Sequence, residues 1–246
     1  TVNYITRNSL GIIAPELKTS LGITTEQYSW IVGAFQLAYT IFQPLCGWLI
    51  DVIGLKLGFM ICATLWAVAC IAHAGAGSWL HLAILRFFMG GAEAAATPAN
   101  AKTLGEWFPK SERPIAAGWA GVGFSVGAML APPIIYFAHA SFGWQGAFMF
   151  TGVLALLWVV LWWAFYHNPE KHPNLGKAEL ALIQQDNEAP PVKLPFFTAL
   201  KTVSKNKRFY GIAIPAFMAE PAWAVLSFWV PLYLAKEHGM DLKQIA

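Results

Sequence analysis

The chain has 246 residues, of which 57% are apolar and only 12% charged, with twelve tryptophans. That balance excludes an ordinary soluble domain. The formal net charge of +3 sits in connecting segments, where it speaks of membrane topology and gives no reason to expect nucleic acid as a partner.

The apolar residues fall into blocks of about 20, the length a helix needs to cross a bilayer. Seven such spans are expected, at 1–17, 28–50, 57–77, 80–104, 114–138, 144–166 and 209–235. Eleven Lys and Arg lie in alternate loops: Lys56, Lys102, Lys110, Arg113 and seven between Lys171 and Arg208. Only Lys18, Lys236 and Lys243 lie on the other side. The basic excess therefore places loops 2–3, 4–5 and 6–7 in the cytoplasm, with a cytoplasmic N-terminus. The missing initiator Met and the stop just after the seventh span suggest a piece of a longer protein.

Arg7, in the first span, is a buried charge. With that span ending near Leu17, Arg7 lies about 15 Å below the outer surface by helix rise. The loop after the second span reads Gly47-Trp48-Leu49-Ile50-Asp51-Val52-Ile53-Gly54-Leu55-Lys56. Asp51 stands at the membrane boundary, where it can meet a helix N-terminus or a basic partner across a domain interface. Gly54 permits the tight turn into the third span.

The fourth span carries both Arg86 and Glu93. An intramembrane charge costs roughly 2.5–3.5 kcal/mol even on lenient insertion scales, so both are candidates for function. Seven residues apart, they stand within about 20° of one helical line and about 10 Å apart along it. On the same depth ruler Arg86 lies at about 9 Å and Glu93 at about 20 Å, with Arg7 between them and within reach of Glu93. A helix with a cation and an acid on one internal face suits the movement of an anion together with a proton.

Small residues from Gly90 to Ala96, and Gly118, Gly121, Gly123 and Gly127 in the fifth span, allow close helix packing. Pro132-Pro133 and, in the seventh span, Pro221 are expected to bend or break their helices. Glu220 precedes Pro221; it is either a substrate contact at a helix break or a packing residue. Between the sixth and seventh spans lies a polar stretch with five prolines, expected as an inter-domain linker with a short amphipathic helix over 176–185. The domains expected are thus 1–166 with six helices, the linker 167–207, and the start of a second membrane domain at 208–246. Cys46, Cys62 and Cys70 read as packing residues, and the six histidines lie near span ends or in loops, which argues against a histidine relay. Trp66, Trp119 and Trp158 read as packing or lipid-facing residues, with sugar stacking the rarer use.

Six helices, a basic loop and a further helix match the two-halves layout of major facilitator transporters, and the loop from Gly47 to Lys56 resembles their signature, with Val52 where a basic residue usually follows the Asp. Tyr4-Ile5-Thr6-Arg7-Asn8, the run from Arg86 to Ala94, Glu106-Trp107-Phe108-Pro109 and Ala131-Pro132-Pro133 resemble the anion:cation symporter branch of that superfamily. Ala219-Glu220-Pro221-Ala222-Trp223 and Trp229-Val230-Pro231-Leu232 resemble its bacterial hexuronate transporters. The resemblance implies an all-α polytopic membrane protein of the major facilitator fold, here the N-terminal six-helix half, the linker and the first helix of the C-terminal half. It implies proton-coupled uptake of hexuronates such as glucuronate and galacturonate across the inner membrane, by a monomer whose partners are the sugar acid, a proton and the lipid bilayer.

Carried over by position, Glu93 is the proton-coupling residue, and Arg7, Tyr4, Tyr39 and Arg86 belong to the binding site. Arg86, nearer the outside, steers anions inward or tunes the acidity of Glu93. Gly47, Asp51, Gly54 and Lys56 form the loop motif. Several sugar-acid members have Asp just before the helix-1 Arg; Thr6 stands here, which removes a second proton site. An organic-anion exchanger or facilitator on the same fold is the alternative. A seven-helix receptor fits poorly, since no Lys lies mid-way along the seventh span for a Schiff base. No nucleotide loop, metal cluster or nucleophile constellation is seen, so no enzyme activity, cofactor or metal is expected.

Overall fold

A computed structural model describes residues 1–186 and 194–245, apart from the side chains of Glu220, Leu242 and Ile245. Each apolar block becomes helix, and no strand occurs among the described residues. The first span is α1 (Val2–Ile12) and α2 (Ala14–Ser20), with Pro15 in the opening turn of α2, where its missing N–H is tolerated. The second span is α3 (Thr25–Ile53). Thr24 and Gln27 open it with reciprocal hydrogen bonds of 3.1 and 2.9 Å, and Gly54 closes it at φ 91°, a conformation that strains any side chain. The third span is α4 (Leu55–Ala72).

The fourth span is interrupted. α5 (Trp79–Glu93) and α6 (Ala96–Trp107) meet at Ala94 and Ala95, immediately after Glu93. Pro98 supplies the cause, since it has no N–H to give Ala94 four residues back and its ring crowds that carbonyl. The fifth and sixth spans form α7 (Arg113–Phe165), parted only at Gly143, whose φ of 69° and ψ of −176° leave the helical region. Of the bend or break expected at Pro132-Pro133, no break occurs, and helix continues through both prolines.

The linker is partly helical. The expected helix over 176–185 is α8 (Lys177–Ile183), and a second one, α9 (Phe196–Ser204), was not anticipated. Pro190 and Pro191 lie outside the described residues. The seventh span is α10 (Lys207–Ala224), a π-helical turn at Val225–Trp229, and α11 (Val230–His238); α12 (Leu242–Ile245) follows. Helix persists through Pro221, and the irregular turn falls further on, where Pro231 has no N–H for the carbonyl of Ser227.

Three stretches, Leu55–Gly75, Arg113–Phe165 and Lys207–His238, are long and apolar enough to cross a membrane by length and composition. Elsewhere, α3 is diluted by Gln27, Gln36 and Gln43, and the first and fourth spans are split.

Two close approaches position the interior. Where α5 crosses α3, a Cβ on Gly90 would stand 2.5 Å from the carbonyl oxygen of Phe35. Only glycine allows that separation. Gly90→Val is expected to force α3 and α5 apart and lower stability by about 1–3 kcal/mol, read as a fall in thermal unfolding temperature in detergent. The second approach joins the seventh span to the first two. A Cβ on Gly11 would collide with the Ser227 carbonyl freed by Pro231. Beside it, the Tyr28 hydroxyl, 1% exposed, donates to the Phe228 carbonyl at 2.9 Å, and its ring meets Trp229 edge-on at 5.4 Å. By contrast, a Cβ on Gly118 or Gly121 would meet nothing within 4 Å, so these two do not serve close packing here.

Candidate functional site

The site assembles where α1, α3 and α5 meet. Arg86 and Glu93 are both fully buried on α5, and α1 brings Arg7 against them. Arg7 Nε donates to Glu93 Oε1 at 2.8 Å, the pairing that the depth ruler allowed. Arg86 Nη1 donates to the Arg7 carbonyl at 3.3 Å, so the second arginine braces the backbone of the first.

The polar capacity here is only partly used. Arg7 Nη2, Arg86 Nε, Arg86 Nη2 and Glu93 Oε2 are buried and have no hydrogen-bond partner. Buried groups of this kind are ordinarily satisfied, and unpaired they cost about 1–3 kcal/mol each, or more when charged. Among the described residues Arg86 has no carboxylate partner. Two guanidinium groups therefore face one carboxylate, leaving one excess positive charge in a water-poor interior. Such an interior attracts an anion with several acceptor oxygens.

Aromatic rings surround the Arg7 guanidinium. Its Cζ lies 4.6 Å from the centre of Tyr39, 5.4 Å from Phe35 and 5.5 Å from Tyr4. Arg86 adds a contact of 5.6 Å to the other side of the cluster at Phe35. Each such contact offsets part of the desolvation of a cation. The Tyr39 hydroxyl is 3.0 Å from Thr97 Oγ1, which fixes the ring between α3 and the start of α6. Tyr4 meets Trp223 of α10 edge-on at 6.0 Å, so the aromatic cluster reaches the seventh span. Backbone near Glu220 belongs to α10, but its side chain lies outside the described residues. Arg86 is completely buried.

Phe35 and Thr97 were missed in the sequence, as was the helix break beside Glu93. Pro98 was the available signal for the break. Nothing in the spacing singles out Phe35 from seventeen phenylalanines.

The loop motif gathers at the Ile53 end of α3. Asp51 pairs with Lys102 of α6 at 2.7 Å, and the same ammonium donates to the Ile50 carbonyl at 3.3 Å. This partner lies in the first six helices, not across a domain interface as one expectation had it. Gly47 lies against Pro98, and the Lys56 carbonyl accepts from Trp162 Nε1 at 3.2 Å. With Asp51 more than half exposed, the pair is expected to couple by only about 0.2–1 kcal/mol in a double-mutant cycle of Asp51→Asn and Lys102→Met followed by thermal unfolding.

Near the other end, Glu16 pairs with His139. Lys18 donates to Thr25 Oγ1 at 2.7 Å. His73, though at the end of α4, is fully buried; its Nδ1 donates to the Ala69 carbonyl at 2.7 Å and its ring stacks on Phe148. Trp66 and Trp158 stack on each other at 6.4 Å and pack with Phe59, while Trp119 is exposed. All three cysteines are free and buried, and no group of three or more His, Cys, Asp or Glu converges among the described residues.

The profile of the Major Facilitator Superfamily matches residues 1–246. The hexuronate transporter of Escherichia coli strain K12 is 43% identical over 246 residues, covering all of this chain and 57% of that protein. The galacturonate transporter of Dickeya chrysanthemi is 42% identical over 247 residues, covering all of this chain and 71% of its own length. A bacterial homolog of the human lysosomal transporter Spinster, solved in an inward-facing, unoccupied conformation, superposes with a TM-score of 0.70 at 19% identity. It matches 98% of this chain and 54% of the solved one, a likeness of fold alone. The chain thus spans little more than half the length of the E. coli relative. Its helices, its buried charges and a profile match from end to end make it a multi-pass membrane protein that belongs to the Major Facilitator Superfamily.

Proposed function

We propose that the protein is a secondary active transporter that carries hexuronate anions, glucuronate and galacturonate among them, into the cell together with a proton. The observation that carries this reading is the buried Arg7–Glu93 pair with the uncompensated Arg86 beside it. The similarity to the hexuronate and galacturonate transporters supports the substrate class.

In the structure Glu93 occupies Nε of Arg7, and Nη2 has no partner among the described residues. A proton on Glu93 removes its charge and loosens that hold. The guanidinium fork is then free for the substrate carboxylate, a planar two-bond pairing that an ammonium does not reproduce. Tyr4 and Tyr39 flank the Arg7 guanidinium and supply hydroxyls for the sugar. Once the substrate and proton leave toward the cytoplasm, Glu93 pairs with Arg7 again and the cycle resets. Arg86 keeps the site positive throughout and opposes the return of a second cation. The protein works as a monomer in the inner membrane with its N-terminus in the cytoplasm, and residues 1–166, 167–207 and 208–246 are its first membrane domain, linker and entry to the second.

The test is uptake of labelled glucuronate and galacturonate into proteoliposomes holding the full-length protein, with and without an inward proton gradient. Accumulation above equilibrium only with the gradient supports symport. Equal uptake in both conditions would replace it with exchange or facilitation.

A further inference from the structure

A cavity of about 220 Å³ lies within the first six helices, between α1, α4, α6 and α7. One wall is aromatic, with Trp66, Trp158 and Trp162. The other carries Asn3 of α1 and, three residues apart on one face of α6, Asn100 and Thr103. The cavity connects two places already described. At one end Asn3, one turn before Arg7, stands beside Glu93. At the other, Trp162 donates to the Lys56 carbonyl, and Thr103 adjoins Lys102, the partner of Asp51. The space therefore leads from the buried acid to the Ile53 end of α3.

Orphaned polar atoms indicate what fills it. Glu93 Oε2 and Trp66 Nε1 are both buried without a hydrogen-bond partner, although Asn3 is beside the first and the second belongs to the cavity wall. Trp66 is only 2% exposed, so its N–H has no bulk solvent to meet. The carboxylate oxygen needs a donor and the indole an acceptor, and water is both. The amides of Asn3 and Asn100 offer further partners, and the volume accommodates several waters at about 30 Å³ each. A sugar acid does not suit the space, since among the described residues neither Arg nor Lys lines it.

We propose that this cavity holds a file of waters through which Glu93 gives up its proton to the cytoplasm, apart from the route taken by the substrate. The proposal rests on Glu93 as the coupling residue and on the Ile53 end of α3 as cytoplasmic. The Glu93 carboxyl passes its proton to the first water, the hydrogen bonds shift along the file, and a proton leaves the last water beside Thr103. Glu93 is left ionised and pairs with Arg7. Asn3, Asn100 and Thr103 are positioning residues, which hold the waters in line across a wall that is otherwise aromatic.

The test follows Glu93 itself, by time-resolved infrared spectroscopy of the full-length protein in nanodiscs. The carbonyl stretch of its protonated carboxyl is the band that Glu93→Gln removes, and a jump from pH 5 to pH 8 gives the rate at which that band is lost. Asn100→Leu, close in size but without hydrogen-bonding groups, is expected to slow the loss by about 5- to 150-fold, the range that one unmade hydrogen bond corresponds to. Asn100→Ser, which keeps a polar group, is expected to hold the wild-type rate. Ala99→Leu fills the cavity without touching a polar group and is expected to slow the loss as Asn100→Leu does. Glucuronate affinity at pH 5 is expected to stay unchanged in all three. A wild-type rate in both Asn100→Leu and Ala99→Leu would overturn the proposal alone, showing the cavity dry or the proton leaving elsewhere. Absence of any band removed by Glu93→Gln would show that Glu93 does not titrate, and would overturn the symport reading together with this proposal.

Discussion

Glu93→Gln is expected to abolish accumulation of hexuronate against its gradient while leaving exchange of internal for external substrate in place. Glutamine has the shape of the protonated acid but can neither release nor take up the proton. It holds permanently the condition in which Arg7 is free for the substrate. Binding is therefore expected to be retained and to lose its dependence on pH, whereas on the proposed scheme the wild type is expected to bind more weakly as pH rises and Glu93 competes for Arg7. Exchange needs only the loaded protein to reorient, so it survives; net uptake needs the empty, deprotonated protein to return, and it fails. The measurements are uptake with and without an inward proton gradient, counterflow, and affinity across pH 5 to 8. Uphill uptake by the variant would remove Glu93 from the coupling and leave it as a structural partner of the arginines.

The second large effect is at Arg7. Arg7→Lys keeps the charge and loses the planar fork, along with the contacts to Tyr39, Phe35 and Tyr4. Hydrogen bonds to charged groups contribute about 1.5–3 kcal/mol each, so the loss of one corresponds to a roughly 10- to 150-fold weaker substrate affinity. Arg7→Ala has a different outcome, because it strands Glu93 as an unpaired buried charge. Breaking one side of a buried pair costs about 3–5 kcal/mol, and this variant is expected to unfold at much lower temperature. Adding Glu93→Gln to Arg7→Ala should recover most of that stability and none of the binding. Calorimetry of binding and thermal unfolding of the set R7K, R7A and R7A/E93Q separate the two roles. Wild-type affinity in Arg7→Lys would refute a carboxylate clamp at this position.

How far the site could be read in advance follows from the physics of each part. Intramembrane charge is expensive enough to stand out in any sequence, so Arg7, Arg86 and Glu93 were visible at once. Helix rise alone then placed Arg7 at a depth between the other two, and the structure has its contact with Glu93. Depth carries no information on which face of a neighbouring helix looks inward, and for that reason Phe35 and Thr97 stayed hidden. Proline effects were legible as a hazard but not as an outcome. Pro98 breaks its helix, while Pro132 and Pro133 sit within a continuous one. Asp51 illustrates the same limit: a boundary acid seeks a cation, yet several basic residues were candidates and only packing selects Lys102. The amphipathic α9 was overlooked because its proline-rich surroundings read as a linker, and the helix is only nine residues long.

The bond from Tyr28 to the carbonyl of Phe228 has a consequence for how this protein can change over generations. Every amino acid presents the same main-chain oxygen, so position 228 can be rewritten without altering the acceptor. The donor has no such freedom, since one hydroxyl on one residue supplies it. Substitution at 228 therefore leaves the bond from α3 to the seventh span its acceptor, whereas a single exchange of Tyr28 for Phe would erase it.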